Sequence, residues 1–469
     1  MTAELDRVES FLAEREDERL ADYFDFLRIP SISTLSEHAG DIRAAARFLA
    51  ERLGAWGLEN VEVSPTPGHP VVYADWLHAE GAPTVIVYGH YDVQPVDPLD
   101  LWERPPFEPR MEGGRIYGRG AADDKGQVHL HLWVARAWLA TAGRLPVNLR
   151  FVFEGEEESG SENFDLWLEA NRGRLGADLV VVSDTGFAQG NHPAITIGLR
   201  GLVYGQIDVE GPALDLHSGT WGGNVQNPAI ALARIIAALK NEDGTIAVPG
   251  FLDEVKELTE RDRDEFARVP FDAAEVETQL GVPALFGDPA FRPLERRGAR
   301  PTLEINGIWG GFTGEGQKTI IPAHAHAKFS CRLVAEMDPR RTFQRVKDAI
   351  LAVPVPGVRV TVRHLGDGMW TSTEVDHPAS IAAARCLEDV FGAPPYYLRE
   401  GGSIPAAAAF HRLLGLPVVL LGFTNPDDQA HAPNEQMVYA NYEGGLRTIA
   451  RYWEALAALG PGLGAGTRS

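Results

Sequence analysis

The chain has 469 residues, 44% hydrophobic with 10 Trp, and 66 carboxylates against 43 Lys plus Arg give a formal charge of −23. At roughly 150 residues per domain this suggests two or three domains, and the apolar content argues against disorder. The net charge repels phosphate backbones and anionic lipid, and no apolar run reaches the ~20 residues of a membrane helix, so nucleic-acid and membrane binders are set aside.

The first twenty residues, MTAELDRVESFLAEREDERL, are charged throughout and lack the apolar core of a signal peptide, and with only two cysteines, Cys331 and Cys386, a cytoplasmic location is expected. Residues 4–27 and 41–56 place apolar side chains at helical spacing. Short β-rich runs follow at 61–63, 71–76 and 84–88, then a helix over about 125–140, a strand at 147–153, a helix near 164–170 and a strand at 179–182. Apolar strands alternating with helices predict a largely buried α/β sheet.

The pattern changes near residue 198. Residues 199–210 and 323–335 read as long strands with mixed faces, and 226–239 and 340–352 as helices. The stretch 241–300 is dense in charge, Pro and Gly, with an acidic helix expected over 253–267 and no assignable role. After Thr371 the earlier rhythm returns: helix 378–391, strand 417–421, helix 440–458. The expected architecture is one α/β domain, residues 1–197 and 373–469, interrupted by an inserted α+β domain, 198–372. The tail 460–469 reads as frayed linker, and Cys331 and Cys386 as core thiols rather than a disulfide framework.

The chemistry-bearing residues follow the apolar strands. One strand runs into His90-Tyr-Asp92, another ends in Glu154-Gly-Glu156-Glu157-Glu158, a third ends at Asp184, and Asp123-Asp124 precede a helix. Ligands of open α/β sheets bind at the carboxyl ends of strands, so these groups point to one rim. Divalent ions take carboxylate oxygen and imidazole nitrogen, and two adjacent ions need a shared carboxylate with terminal ligands on each side. His90, Asp123, Glu158 and Asp184 supply such a set, and His431 closes it. Asp92, two residues beyond His90 on an extended strand end, is placed to accept the other imidazole N–H. One acid of the Glu156–Glu158 run must stay unligated to act as base. By contrast His129 and His131, two apart on a helix, cannot face the same ion, and His324 and His326 read as structural. Gly118-x-Gly120 lacks the third glycine of a dinucleotide loop.

At these residues the sequence resembles the M20 family of co-catalytic metallopeptidases, especially the carnosinase-like cytosolic dipeptidases. The motifs are GHYDVQP (89–95), GRGAADDKGQ (118–127), EGEEESGS (154–161), SDTG (183–186), DLHSG (215–219), REGGSIP (399–405) and AHAPNE (430–435). The resemblance implies a mixed-sheet, zinc-peptidase-type catalytic domain and a lid and dimerisation role for 198–372. It implies two Zn²⁺ per chain, with Mn²⁺ or Co²⁺ as alternatives: His90 and Asp184 on one, Glu158 and His431 on the other, and Asp123 bridging. It implies Glu157 as general base, Asp92 as the partner of His90, and a cis Asp123–Asp124 peptide. His217 would reach the site of a second subunit and stabilise the oxyanion. Arg332 would clamp a substrate carboxylate, as a guanidinium fork suits, and Thr319 and Ser403 would touch substrate. Hinges near 198 and 372 would gate turnover. The implied activity is hydrolysis of dipeptides or short peptides by a homodimer that binds neither nucleic acid nor membrane. N-acyl amino acid deacylation at the same site is the alternative, and an inactive metal-binding scaffold the remote one.

Overall fold

A computed structural model describes residues 2–464; residues 465–469 of the tail expected to fray lie outside them. The chain forms two compact units. The first comprises the residues up to Ile197, Ser372–Leu398 and the residues from Ile404 onward; the second comprises Gly198–Thr371 and Arg399–Ser403. The sequence division placed 399–403 in the outer domain; it packs instead with the inserted unit.

In the first unit the strands Glu59–Ser64, Val71–Trp76, Asn148–Glu154, Thr84–His90, Leu179–Val182, Val418–Leu420 and Ala194–Leu199 lie side by side in that order. The inner pairings, 148–154 with 84–90, 84–90 with 179–182 and 179–182 with 418–420, are parallel, while the pairings towards the margins are antiparallel. Parallel strands covered on both faces need near-continuous apolar runs, and Val85–Tyr88 and Leu179–Val182 supply them, all buried. The helix Lys125–Ala142 is buried from Lys125 to Ala135, which is why its sequence shows little amphipathic pattern. It packs among Ala3–Glu14, Tyr439–Leu459 and the strand Thr84–His90. The single helix expected over 4–27 is two, Ala3–Glu14 and Glu16–Leu27, broken at Arg15 where φ is −112° and ψ 28°. No helix among the described residues is long and apolar enough to cross a membrane.

The second unit is built on a four-stranded antiparallel sheet, Thr302–Gly310, His324–Leu333, Gly201–Glu210 and Arg359–Gly368 in that order. Helices Pro228–Ala237 and Pro339–Ala352 contribute to its core through Leu232, Ile235, Val346 and Ile350. The two outer strands escaped the sequence reading. As edges they carry exposed residues, glycines and register shifts in place of a clean apolar alternation. The acidic helix expected over 253–267 starts later, at Glu260–Arg268. Thr259 fixes that start with a capping box: its hydroxyl accepts from Asp262 N while Asp262 Oδ2 accepts from Thr259 N.

Candidate metal centre

His90 ends a strand flanked on both sides by parallel neighbours. Glu157 and Glu158 follow one neighbour, Asn148–Glu154, and Asp184 follows the other, Leu179–Val182. Asp123 arrives from the loop before the helix Lys125–Ala142, and two glycines let that loop come close. A Cβ on Gly89 would stand 2.5 Å from Val128 Cγ2 and 2.8 Å from Asp124 Oδ2; one on Gly126 would stand 2.1 Å from the Ala121 carbonyl oxygen. Only bare backbone fits at either position. The Asp123–Asp124 peptide is cis, and Asp124 Oδ2 accepts the His90 backbone N–H at 3.1 Å. His431 sits in a loop of the first unit with φ +62°, a left-handed conformation unusual for a side-chain-bearing residue.

The five donors converge. Ligand atoms of His90, Asp123 and Asp184 lie within 4.8 Å of one another, as do those of Asp123, Glu158 and His431. His90 Nε2 is 3.0 Å from Asp123 Oδ1 and 3.9 Å from Asp184 Oδ1. His431 Nε2 is 2.8 Å from Asp123 Oδ2 and 3.1 Å from Glu158 Oε2. The two oxygens of Asp123 thus face different imidazoles. Two nitrogen and three carboxylate donors sharing one bridging group fit a pair of divalent ions.

The electrostatics point the same way. Burial, then the charge of Asp123, hold the Asp184 carboxyl well above the ordinary carboxylate range. Burial opposes charge on His90, but its bonds to Asp123 and Asp92 outweigh that and raise it well above the usual imidazole value. Hydrogen bonds to Asp123, then Glu158, raise His431 to about 10. So much negative charge in a shielded place demands cations, and without an ion the imidazoles supply them.

The acid run separates by function. Glu154 Oε1 accepts from Tyr88 Oη at 2.5 Å and from Ser161 Oγ at 3.0 Å. Glu156 Oε1 accepts from His69 N at 3.1 Å and Asn163 Nδ2 at 3.0 Å. Glu158 faces His431. The Glu157 carboxylate hydrogen-bonds no protein group among the described residues. Burial raises it to about 8, with Glu158, Asp123 and Asp92 adding to the rise and His90 opposing it.

Asp92 does more than the sequence suggested. The nearer partner of His90 Nδ1 is the Asp92 backbone carbonyl, at 3.1 Å, with the Oδ1 atom at 3.4 Å. The Asp92 side chain instead accepts the backbone N–H groups of Glu157, at 3.2 Å, and Glu158, at 3.0 Å. Two other residues were missed. Glu435 accepts from the backbone of Gly120, Ala122 and Asp123 at 2.9–3.0 Å and from Arg119 Nη1 at 2.7 Å. Gln94 Nε2 donates to Glu158 Oε2 at 2.6 Å. Both lie inside motifs already singled out, but the Arg119–Glu435 pairing spans 316 residues and leaves no local trace.

The remaining expected site residues lie on the second unit. Arg332 Nη1 donates to Ser403 Oγ at 3.1 Å. His217, exposed, pairs with Ile320 across a short ladder, and the neighbouring Thr319 carbonyl accepts from Ser218 N. The histidines set aside have separate partners: His129 bonds Tyr442 and Asp22, His131 bonds Ser183, and His326 bonds Asp208 across the sheet. Cys331 and Cys386 are buried free thiols.

A mixed α/β sheet with paired nitrogen–oxygen ligand sets at its strand ends and a free carboxylate beside them defines a metal-dependent hydrolase. The Peptidase family M20/M25/M40 matches residues 86–455, and the chain belongs to that family. It is 32% identical to the Cys-Gly metallodipeptidase dug1 of Schizosaccharomyces pombe, over 98% of this chain and all of that protein. It is 33% identical to the human Beta-Ala-His dipeptidase, over 89% of this chain and 83% of that protein. Among solved structures, the M20 family metallo-carboxypeptidase Sso-CP2 of Sulfolobus solfataricus superposes with a TM-score of 0.83 at 32% identity, covering 94% of this chain and 99% of that one.

Proposed function

We propose that the protein is a metal-dependent dipeptidase that cleaves the amide bond of dipeptides or short peptides. The observation that carries this reading is Asp123, whose two oxygens serve two ligand sets beside the unbonded carboxylate of Glu157. His90, Asp123 and Asp184 would hold one ion and Asp123, Glu158 and His431 the other, Zn²⁺ by preference, Mn²⁺ or Co²⁺ as alternatives. Such ions polarise the scissile carbonyl and acidify water.

The chain's own groups do the rest. Glu157 takes the proton of the attacking water and returns it to the leaving amine, a shuttle left open to it because its carboxylate hydrogen-bonds no protein group among the described residues while its backbone is held by Asp92. Asp92 holds the backbone of Glu157 and Glu158 so that base and ligand keep their spacing. Arg332, backed by Ser403, takes the substrate's free carboxylate, with Thr319 a further substrate contact. His217 donates to the developing oxyanion at the site of a second copy, which makes the active species a homodimer through residues 198–372. The location is cytoplasmic. The dipeptidase relatives favour this reading over N-acyl amino acid deacylation, and the complete donor set speaks against an inactive scaffold.

The test is a panel of dipeptides and N-acyl amino acids with Zn²⁺ and Mn²⁺. Dipeptide turnover that disappears with chelator and returns with metal is the expected result. Preferential turnover of N-acyl amino acids, or none of either, would overturn the reading. Sedimentation of the full chain checks the dimer.

A further inference from the structure

The segment Arg399–Ser403 is gripped by the stretch 260–299, the part of the chain whose role the sequence left open. Arg399 Nη2 donates to Asp262 Oδ1 at 2.7 Å, and its guanidinium lies 5.5 Å from the ring centre of Phe266. Glu400 Oε1 faces Arg297 Nη2 at 3.5 Å. A Cβ on Gly298 would stand 2.8 Å from both Cβ and the carbonyl oxygen of Arg399, so the helix Pro293–Ala299 meets the segment along bare backbone. Arg263 ties that helix to Glu260–Arg268 through Glu295, at 3.3 Å.

The far end of the same segment carries Ser403. Its hydroxyl donates to the Arg200 carbonyl at 2.6 Å and accepts from Arg332 Nη1 at 3.1 Å. Between the anchored Glu400 and Ser403 stand only Gly401 and Gly402, which lend no stiffness of their own. The surroundings suit an anion. Burial, then the charges of Arg332 and Arg297, lower Arg200 to about 10, and its buried Nε has no hydrogen-bond partner among the described residues.

We infer that Asp262, acting through Arg399, is a positioning residue for substrate selection: it holds the Ser403–Arg332 pair in the arrangement that recognises a free carboxylate. The stretch 260–299 is then a specificity element. This rests on reading Arg332 and Ser403 as substrate contacts.

The experiment compares kcat/KM for one dipeptide and its C-terminal amide in the metal-loaded full-length enzyme. The variants are Arg332→Ala, Arg399→Gln, Asp262→Asn and Arg399→Lys. Arg332→Ala is expected to collapse the preference for the free acid. Arg399→Gln and Asp262→Asn are expected to lower it about tenfold, through KM with kcat nearly unchanged, the scale of one lost charge-assisted bond. Arg399→Lys is expected to restore part of it. If Arg332→Ala lowers the preference while both Arg399→Gln and Asp262→Asn leave it intact, or lower both substrates equally, the inference is overturned and the dipeptidase reading stands. If Arg332→Ala itself leaves the preference unchanged, the carboxylate clamp fails and the inference with it. If Arg399→Gln does not fold, Asp262→Asn, which keeps an acceptor for the Thr259 cap, carries the same readout.

Discussion

Asp92 Oδ1 accepts the backbone N–H of Glu157 at 3.2 Å, which joins the loop behind His90 to the loop that carries Glu157, the base of the proposed mechanism. With Glu158 N held by the other oxygen, one carboxylate sets the backbone of both acids. Asp92→Asn leaves one acceptor and puts an amide N–H against a backbone N–H. Outer-sphere changes of this kind cost about 10–100-fold in metal affinity or activity. We expect both to fall in that range, measured by competition with a chelating indicator and by dipeptide turnover. Unchanged affinity and rate would remove Asp92 from the site's architecture.

Glu157 differs from its neighbours in that its carboxylate has no protein hydrogen-bond partner among the described residues. Glu157→Ala is therefore expected to abolish hydrolysis while elemental analysis still finds about two metals per chain. Near-normal turnover in that variant would show that another group takes the proton. Glu156→Gln keeps an acceptor for His69 and Asn163, and turnover is expected to stay close to that of the parent.

Glu435 is fully buried and meets Arg119, itself buried, at 2.7 Å. Removing one member of such a pair strands the other charge. Glu435→Ala is expected to lower stability by about 3–5 kcal/mol and to reduce metal content, because Asp123 N loses its acceptor. Urea unfolding and elemental analysis read the two effects separately. A destabilised variant that still holds both metals would confine Glu435 to folding.

His131 gives a pH dependence outside the metal site. Burial lowers its folded pKa from 6.5 to about 3. As pH falls, the unfolded chain takes up the proton first, so this contribution is complete above about 6.5 and is lost progressively toward about 3. At pH 5 the loss is ~2 kcal/mol, from ~1.4 kcal/mol per pH unit below 6.5. The urea midpoint is expected to fall less between pH 7 and 5 in His131→Gln, which keeps a donor toward Ser183 and cannot titrate. Parallel profiles would count against it.

The residues whose donor atoms converge were readable because their signals are local. Strand-end placement pointed His90, Glu158 and Asp184 to one rim, and the structure brings their donor atoms together with those of Asp123 and His431. The residue pattern alone could not divide the acid run, and only the family resemblance did, since Tyr88, His69 and Asn163 reach Glu154 and Glu156 from other segments. The edge strands Thr302–Gly310 and Arg359–Gly368 were missed because one-sided pairing does not require apolar alternation. Arg399–Ser403 looked like outer-domain sequence because chain order places it there; what draws it to the second unit is Asp262 and Arg297, more than a hundred residues earlier.

The Glu435 clamp also has a bearing on biosynthesis. Four of the five candidate ligand side chains have been made by residue 184, but the fifth, His431, and the carboxylate that pins the Asp123 loop come about 250 residues later. A nascent chain that has folded its first strands therefore carries an open, strongly acidic half-site without its latch. On the proposed ligand set, metal capture with full affinity would be a late, nearly post-translational event, and a chain truncated before residue 431 would lack one of the two imidazoles that face Asp123.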